Sequence, residues 1–333
     1  MRPSSWRHVL IFRIFITGSG ISQVAQDLLQ ENNCVFQVGG PNDSSSEIAN
    51  KLKVFNPDGI IVRQGEITRE VQAAAPNLKV ISKHGTGTDN IDIDAASERR
   101  IAVMFTPLAN YESVAEHTLA LMLSLTRRVT IEDRRIRKGV FDKNDYGGLE
   151  LSGKTLGIVG FGHAGRRLSE LVAPFNMTAM VYHPSRSEEP LPQHVSKVQN
   201  VEELFPVSDI ISLHCPLTSE TSGMINSRSI ALMKKGAFLV NTSRGGIVNE
   251  PDLIHALQNR HICGAALDVF ESEPPKADSP LLTMDNVILT PHIAGISDRS
   301  FVNMGMAAVH NALAILQGDS FDQECLKNKE IIG

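Results

Sequence analysis

The segment Lys154–Val172, KTLGIVGFGHAGRRLSELV, joins an apolar run to a glycine-rich turn and an amphipathic continuation. The run Leu156–Val159 has the length and residue types of a buried parallel strand. The turn Gly160–Gly165 is a complete G-x-G-x-x-G. Beyond it the pattern predicts a helix with two faces, one apolar (Leu168, Leu171, Val172) and one charged (Arg166, Arg167, Glu170).

Each glycine of this turn has a physical use. Gly160 permits the tight turn, Gly162 lets an anionic group touch the backbone, and Gly165 lets helix and strand pack closely. The free N–H groups of the first helical turn, around His163 and Ala164, face the same anion. An ordinary βα turn is the alternative, but the flanking strand and helix favour a dinucleotide site.

The bulk composition is that of a globular chain with two domains. Its 333 residues are 42% hydrophobic and 21% charged, with a net charge of −5 and no long basic run, which argues against a nucleic-acid surface. The four cysteines (Cys34, Cys215, Cys263 and Cys325) are far apart, and the histidines lack metal-ligand spacing, so we expect neither disulfides nor a metal. No stretch is apolar enough to span a membrane, and the cytoplasm is the expected location.

The remaining segments predict two α/β domains. Residues 9–105 alternate strand-like and helical patterns without a G-x-G-x-x-G, whereas residues 151–290 predict six parallel strands with helices between them. The helix Arg299–Leu316 is expected to return to the first domain. We therefore predict two doubly wound parallel-sheet domains, a Rossmann dinucleotide-binding domain (108–295) inserted in a flavodoxin-like substrate domain (1–107 and 296–333).

Reactive side chains follow several of the predicted strands. Arg244 follows Phe238–Asn241, Asp268 ends the next strand with Glu273 just beyond it, and His292 follows the last strand. In the first domain, Lys83-His84-Gly85-Thr86-Gly87-Thr88 also follows a strand. Because ligands of open α/β sheets bind outside the carboxyl ends of the strands, these residues are expected to face one cleft between the domains.

Six motifs in this order make the chain resemble the D-2-hydroxyacid dehydrogenases, most strongly the branch of D-3-phosphoglycerate dehydrogenase. They are HGTGTDNID, SVAEHTLALML, LSGKTLGIVGFGHAG, NTSRGGIVNE, AALDVFESEPP and LTPHIAG. The resemblance covers nearly the whole length. About fifteen residues follow Gly318, so we expect the regulatory tail of some members to be absent.

The resemblance implies a role for each catalytic candidate. His292 would be the acid/base, Glu273 would fix its tautomer, and Arg244 would hold the substrate carboxylate. The backbone N–H groups around Gly85, Thr86 and Gly87 would bind the other edge of that carboxylate. Lys83 and His84 would line the substrate site.

The resemblance also implies a set of coenzyme contacts beyond the glycine turn. Cys215 would line the site and would not act as a nucleophile. Asp268 would either contact the nicotinamide end or cap the loop after its strand. The full set of these additional contacts is Thr86, His183, Ser185, Arg186, Cys215, Thr242, Ser243, Asp268, His292 and Gly295.

The residue after the second strand of the nucleotide domain bears on the choice between NAD and NADP. NAD-specific members of the fold have an acid there, which holds the ribose hydroxyls. Here the position is His183, with Ser185 and Arg186 close behind, and these could bind a 2′-phosphate. The pattern favours NADP(H), although Glu188 and Glu189 could take the place of the missing acid.

Two substrate interpretations stay open, 3-phosphoglycerate and glyoxylate or hydroxypyruvate. Lys83, His84 and Arg63 are the candidate cations for a phosphate. A non-catalytic NAD(H)-sensing corepressor of the same fold is the alternative function, and it usually carries disordered tails. Formate dehydrogenases pair the histidine with glutamine, whereas this chain has Glu273. The apolar helix Tyr111–Arg127 is expected to be buried or to pack against a second subunit, and we predict a homodimer through it.

Overall fold

The computed structural model describes residues 11–144, 146–184 and 190–332. The chain forms two compact units. One contains residues up to Asn110 together with those from Ser297 onward, and the other is the continuous segment Tyr111–Ile296. Each unit is built around its own parallel sheet.

The first unit has a five-stranded parallel sheet in the order β2-β1-β3-β4-β5, which is the flavodoxin-like order. Ile14 and Ile16 of β1 enter one apolar cluster and Phe15 enters another, which shows that both faces of the sheet are covered. Its elements before the second unit are β1 (Arg13–Ile16), α1 (Gln23–Glu31), β2 (Val35–Val38), α2 (Ser45–Phe55), β3 (Gly59–Val62), α3 (Arg69–Ala73), β4 (Val80–Lys83), α4 (Ile93–Glu98) and β5 (Ala102–Met104).

The second unit has a seven-stranded parallel sheet in the order β12-β11-β10-β9-β6-β7-β8. The strand order reverses between β6 and β9, as in a Rossmann fold. Its elements are α5 (Tyr111–Thr126), α6 (Val129–Arg137), β6 (Thr155–Val159), α7 (His163–Val172), β7 (Thr178–Tyr182), β8 (Val195–Lys197), α8 (Val201–Leu204), β9 (Ile210–Leu213), α9 (Ser227–Leu232), β10 (Ala237–Asn241), α10 (Glu250–Gln258), β11 (Ile262–Leu267) and β12 (Val287–Leu289).

The prediction of six strands in this unit was wrong by one. Strand β8 has three residues and pairs with β7 alone, with only Val195 buried. A strand at the edge of a sheet needs neither a long apolar run nor a clean alternation, so its sequence pattern is weak.

The last helix, α11 (Asp298–Gln317), packs on the sheet of the first unit. A capping box at Ser297 starts it, and Gly318 ends it in the left-handed conformation at φ 73°. The Ser82 hydroxyl on β4 donates to the Ala308 carbonyl at 2.8 Å, which ties helix to sheet. In α1, Ala25 and Leu29 take the core positions and Val24 is 53% exposed, whereas Met306 of α11 is partly buried and packs against the same apolar cluster.

Helix α5 uses most of its apolar side chains inside the second unit. Its buried residues face α7 and the sheet, and Glu116, Ala120 and Arg127 point outward. The apolar pattern of the sequence therefore reflects internal packing. The buried residues are Ala115, Thr118, Leu121, Met122, Leu125 and Thr126.

Within residues 11–144, 146–184 and 190–332, we find no helix with the length and apolarity that crossing a membrane requires.

Candidate active site

The turn between β6 and α7 has the shape that its glycines predict. Gly160 has φ +98°, and a Cβ atom there would lie 2.5 Å from the backbone of His214 and Cys215 after β9. A Cβ atom on Gly165 would lie 2.4 Å from the Gly160 carbonyl oxygen. Only glycine allows these three backbone segments to approach so closely.

The same turn is open on the side where an anion would bind. Gly162 is the N-cap of the ten-residue helix α7, and no heavy atom lies within 4 Å of the Cβ that another residue would place there. The first N–H groups of any helix lack intrahelical acceptors and carry partial positive charge. This open cradle at the reversal point of the sheet fits the pyrophosphate of a dinucleotide, held by Gly160, Gly162, His163, Ala164 and Gly165.

Two of the other predicted coenzyme residues, His183 and Cys215, follow strands of the same sheet, whereas Thr86 belongs to the first unit. His183 directly follows β7 and is half-buried, whereas Ser185 and Arg186, with Glu188 and Glu189, lie outside the described residues. Cys215 follows β9, and burial raises the pKa of its thiol to about 11. The thiol is therefore protonated near neutral pH, which argues against a nucleophilic role.

A buried asparagine shapes the loop that carries Arg244. The Asn241 side chain at the end of β10 donates to the Arg244 carbonyl at 2.9 Å and accepts from Ser243 N at 3.0 Å. The Ser243 hydroxyl donates to the Cys215 carbonyl, and Thr242 pairs with the hydroxyl of Thr118 on α5 at 3.0 Å. These bonds fix the backbone from which the guanidinium of Arg244 projects.

His292 and Glu273 form the predicted pair. The distance from His292 Nδ1 to Glu273 Oε2 is 2.8 Å, and the side chains are 50% and 40% exposed. Burial acts to raise the pKa of the Glu273 carboxyl, but the contacts with His292, the Phe270 N–H and the charge of Arg244 lower it more, so it lies below its ordinary value. An imidazole backed by an ionised carboxylate on one nitrogen keeps its other nitrogen available to a ligand.

Asp268 holds the loop on which His292 sits. Its carboxylate is fully buried and accepts from Thr290 Oγ1 at 2.6 Å, Ile293 N at 2.9 Å and Ala294 N at 2.8 Å. The Asp268 carbonyl also accepts from His292 N at 2.8 Å. His292 has φ +53°, a conformation rarely adopted by residues other than glycine. We attribute the retention of this conformation to the bonds on either side of it.

The first unit carries the predicted substrate loop after β4. Gly85 has φ +135°, and its N–H donates to Thr106 Oγ1 at 3.0 Å. Thr86 Oγ1 donates to Asn110 at 3.1 Å, and Lys83 Nζ donates to Asn90 at 2.9 Å. The glycine therefore makes a sharp turn whose backbone is fixed by side chains from the following segment.

His84 lies under this loop and is only 7% exposed. Its ring packs against Phe301 with the centroids 5.4 Å apart, and its Nε2 has no hydrogen-bond partner among the described residues. Burial lowers the pKa of this histidine to about 4, and the charges of Arg63 and Lys83 act in the same direction. His84 is therefore neutral near pH 7, so it does not supply the positive charge for a phosphate that the sequence suggested.

Several residues around these side chains were not identified from the sequence. His117 on α5 lies 3.3 Å from Thr290 Oγ1 and 3.8 Å from Asp268 Oδ1, and Asn241 supports the arginine loop. Asn241 stands inside the NTSRGG motif, so its position was a usable signal. His117 had only the SVAEHTLALML motif to mark it.

In the second unit, Arg244, Asp268 and His292 follow β10, β11 and β12, which are neighbours in the sheet. Because these strands are parallel, all three residues lie at one edge, the same edge as the β6–α7 turn. The site thus offers an exposed histidine–carboxylate pair and an arginine at the strand ends that also carry the glycine turn. This combination suits proton transfer at an oxygen and recognition of a carboxylate.

Comparison with known proteins assigns a family. Residues 119–294 match the family model described as D-isomer specific 2-hydroxyacid dehydrogenase, NAD binding domain. The D-3-phosphoglycerate dehydrogenase of Archaeoglobus fulgidus is 38% identical over 299 residues, which are 90% of this chain and 56% of that protein. The glyoxylate reductase of Thermofilum pendens is 41% identical over 274 residues, 80% of each chain.

A solved structure gives the same result for the fold. The D-lactate dehydrogenase of Aquifex aeolicus, complexed with NAD and lactic acid, aligns with a TM-score of 0.81 at 32% identity over 92% of this chain and 96% of that one. The chain spans little more than half the length of the Archaeoglobus relative. Its second unit is an NAD-binding domain in sequence, topology and turn geometry. The chain belongs to the D-isomer specific 2-hydroxyacid dehydrogenase family, in its D-3-phosphoglycerate dehydrogenase-like branch.

Proposed function

We propose that the protein is an NAD(P)-dependent dehydrogenase that interconverts a small D-2-hydroxy acid and the corresponding 2-oxo acid. The single observation that carries this proposal is the 2.8 Å contact between His292 Nδ1 and Glu273 Oε2, at the strand edge that also bears Arg244. The pair has the donor, the acceptor and the exposure that an acid/base needs. Family membership supports the same activity.

The residues divide the chemistry among them. A bound nicotinamide supplies or accepts the hydride. His292 donates a proton from Nε2 to the carbonyl oxygen in reduction and removes it in oxidation. Throughout, its Nδ1–H group stays hydrogen-bonded to the Glu273 carboxylate. The Glu273 carboxylate stabilises the imidazolium, and its lowered pKa keeps it ionised through the cycle. Arg244 binds the substrate carboxylate through its planar fork and polarises the carbonyl.

The loop of the first unit contributes backbone donors in this proposal. The N–H groups around Gly85, Thr86 and Gly87 bind the substrate carboxylate, and Lys83 and His84 line the site. Thr242, Ser243 and Gly295 contribute backbone to the coenzyme side. Asp268 acts chiefly through the His292 loop, since its oxygens already accept three hydrogen bonds from that loop.

The choice between the two substrate classes depends on the cations of the first unit. Arg63 Nη1 donates to Ser19 Oγ at 2.6 Å and Gly20 O at 3.0 Å, and its guanidinium lies 5.0 Å from the Phe301 ring centroid. These contacts hold Arg63 in one orientation near the strand ends. A fixed cation there supports a substrate with a distal anionic group, 3-phosphoglycerate, over glyoxylate or hydroxypyruvate.

The test is a panel of 2-oxo acids reduced with NADH and with NADPH. We expect the phosphate of hydroxypyruvate to be reduced faster than hydroxypyruvate, glyoxylate or apolar 2-oxo acids, because Arg244 recognises the carboxylate that all of them share and Arg63 recognises a distal anion. An intact protein that binds NADH but reduces none of these acids would favour the rival function, a non-catalytic NAD(H)-sensing corepressor.

We further propose a preference for NADP(H), supported by His183 in place of the ribose-binding acid. The expected result is a higher kcat/KM with NADPH, which falls in the Arg186→Ala variant because a cation for the 2′-phosphate is lost. His183→Ala is the matched control and should change the ratio of the two coenzymes less. A preference for NADH that Arg186→Ala leaves unchanged would contradict this assignment.

We propose a homodimer as the assembly. We also propose the cytoplasm as the location, which the four free cysteines support. The sequence pointed to α5, but the apolar side chains exposed nearby lie on α6 and in residues 140–146. They are Val129, Ile136, Val140, Phe141 and Tyr146, between 42% and 81% exposed.

This dimer predicts a change of mass. Light scattering at micromolar protein should give two chains per particle, and Ile136→Glu with Phe141→Glu should give one, because burying two charges disrupts an apolar interface. Val54→Glu, at an 87% exposed site in the first unit, is the control. A wild-type monomer would refute the assembly.

A further inference from the structure

The loop that carries Arg244 and the loop that carries Glu273 touch through their backbones. A Cβ atom on Gly245 would lie 1.9 Å from both the carbonyl carbon and the carbonyl oxygen of Phe270, and 2.5 Å from Glu271 N. Gly245 is fully enclosed here, so glycine is required by the close approach of the second loop and not by its φ angle.

Two glutamates join the same loops a few residues further along. Glu250 N donates to Glu271 Oε1 at 3.0 Å, and Glu271 N donates to Glu250 Oε1 at 2.8 Å. Glu250 is the first residue of the nine-residue helix α10, so the Glu271 carboxylate also lies at a helix N-terminus, where negative charge is stabilised. Each carboxylate thus satisfies an N–H group of the opposite loop.

These contacts lie next to the catalytic candidates in the chain. Arg244 precedes Gly245 by one residue, and Glu273 follows Glu271 by two. Glu273 also accepts from Phe270 N at 3.2 Å, so the residue that Gly245 touches is itself bonded to the carboxylate that holds His292. A displacement of either loop would therefore change the distance between Arg244 and the Glu273–His292 pair.

We propose that Gly245 and the Glu250–Glu271 pair are positioning elements that set Arg244 relative to Glu273 and His292. Glu250, Glu271 and Gly245 touch neither substrate nor coenzyme in this assignment, and they act through the two loops. The inference rests on the proposed dehydrogenase function, because it concerns the spacing between the residue that binds the carboxylate and the residue that moves the proton. Misplacement of such groups by about 1 Å is enough to lower a rate by up to about 10²-fold.

The experiment compares four variants of the full chain: Glu271→Ala, Glu271→Gln, Gly245→Ala and Gly246→Ala. Glu271→Ala removes the acceptor of Glu250 N, and we expect kcat/KM for the 2-oxo acid to fall about 10-fold, with a higher KM and a lower kcat. Glu271→Gln removes the charge but keeps an oxygen acceptor, and it should restore most of the loss. The affinity for NADH, measured by fluorescence, should stay unchanged in both.

The two glycine variants test the backbone contact in the same way. Gly245→Ala should lower kcat/KM at least as far as Glu271→Ala. Gly246→Ala is the matched control, since its added Cβ would meet only the flexible Leu217 side chain at 3.2 Å, and it should stay within about 3-fold of wild type. If Gly245→Ala does not fold, the two variants of the exposed Glu271 side chain, Glu271→Ala and Glu271→Gln, decide the question.

The outcomes separate the two proposals. A wild-type protein that turns over 2-oxo acids, with Glu271→Ala kinetically identical to it, overturns the positioning role alone. Equal losses in Glu271→Ala and Glu271→Gln also overturn it, because charge and not the hydrogen bond would then matter. A wild-type protein that neither reduces nor binds any 2-oxo acid overturns the dehydrogenase assignment and the positioning role with it.

Discussion

Replacing His292 with alanine should lower kcat by about 10²-fold or more while the coenzyme still binds, because this is the range that general acid–base catalysis contributes. The His292 imidazole contacts the Glu273 carboxylate at 2.8 Å, and half of its side chain is exposed. The glycine cradle of the β6–α7 turn does not depend on this side chain. Steady-state kinetics and NADH fluorescence titration measure the two effects separately.

Glu273→Gln is the companion variant for this prediction. Glutamine can still accept from Nδ1–H, but it has no charge with which to stabilise an imidazolium, so kcat should fall while the coenzyme still binds. An alanine variant at position 292 with near-normal kcat would show that another group moves the proton. An unchanged kcat in Glu273→Gln would show that the charge of this carboxylate is not needed.

Asp268→Asn should reduce both activity and stability, since this carboxylate fixes the loop of His292. Its two oxygens accept from Thr290, Ile293 and Ala294, and the side chain is fully buried. In asparagine one oxygen becomes an NH₂ group, which would face a backbone N–H or a hydroxyl proton and leave a buried donor without an acceptor. Such a loss costs about 1–3 kcal/mol of unfolding free energy, and more when the lost partner is charged.

We expect kcat for Asp268→Asn to fall by about 10-fold to 10²-fold, because the left-handed backbone at His292 would no longer be held in place. Urea unfolding gives the free energy and steady-state kinetics gives kcat. Thr290→Val is the comparison variant, because it removes one of the three bonds to the same carboxylate together with the contact to His117, and it should cost about 1 kcal/mol. Full activity and full stability in Asp268→Asn would mean that the loop keeps its conformation without this carboxylate.

Helix α5 shows where reasoning from the sequence stops. Its apolar pattern was sound, and the helix begins at Tyr111 as predicted and ends one residue early, at Thr126. The inference that an apolar helix must meet a second subunit was not required, because α7 and the sheet of the same unit cover most of those side chains. Periodicity gives the width of an apolar stripe, whereas the elements that cover it lie elsewhere in the chain, as far along as β12.

The glycine turn between β6 and α7 could be predicted from the sequence because the constraints that require its glycines are local. Gly160, Gly162 and Gly165 stand within six residues, and each answers a constraint that the adjoining strand and helix impose. The role of Gly245 was not accessible in this way, although it is also a glycine in a recognisable motif. Its constraint is the Phe270 backbone, which belongs to another loop.

The sequence by itself determined the class of each element, the succession of strands and helices, the glycine turn and the identity of the residues that follow each strand. These follow from periodicity, turn chemistry and chain order, which act over a few residues. Only the tertiary structure shows that the Asp268 carboxylate accepts hydrogen bonds from the His292 loop. It alone also shows that Glu250 and Glu271 accept from each other's backbone N–H groups and that β8 extends the sheet. Hydrogen bonds and close contacts between distant segments depend on the packing of the whole unit, and no short stretch of sequence contains that information.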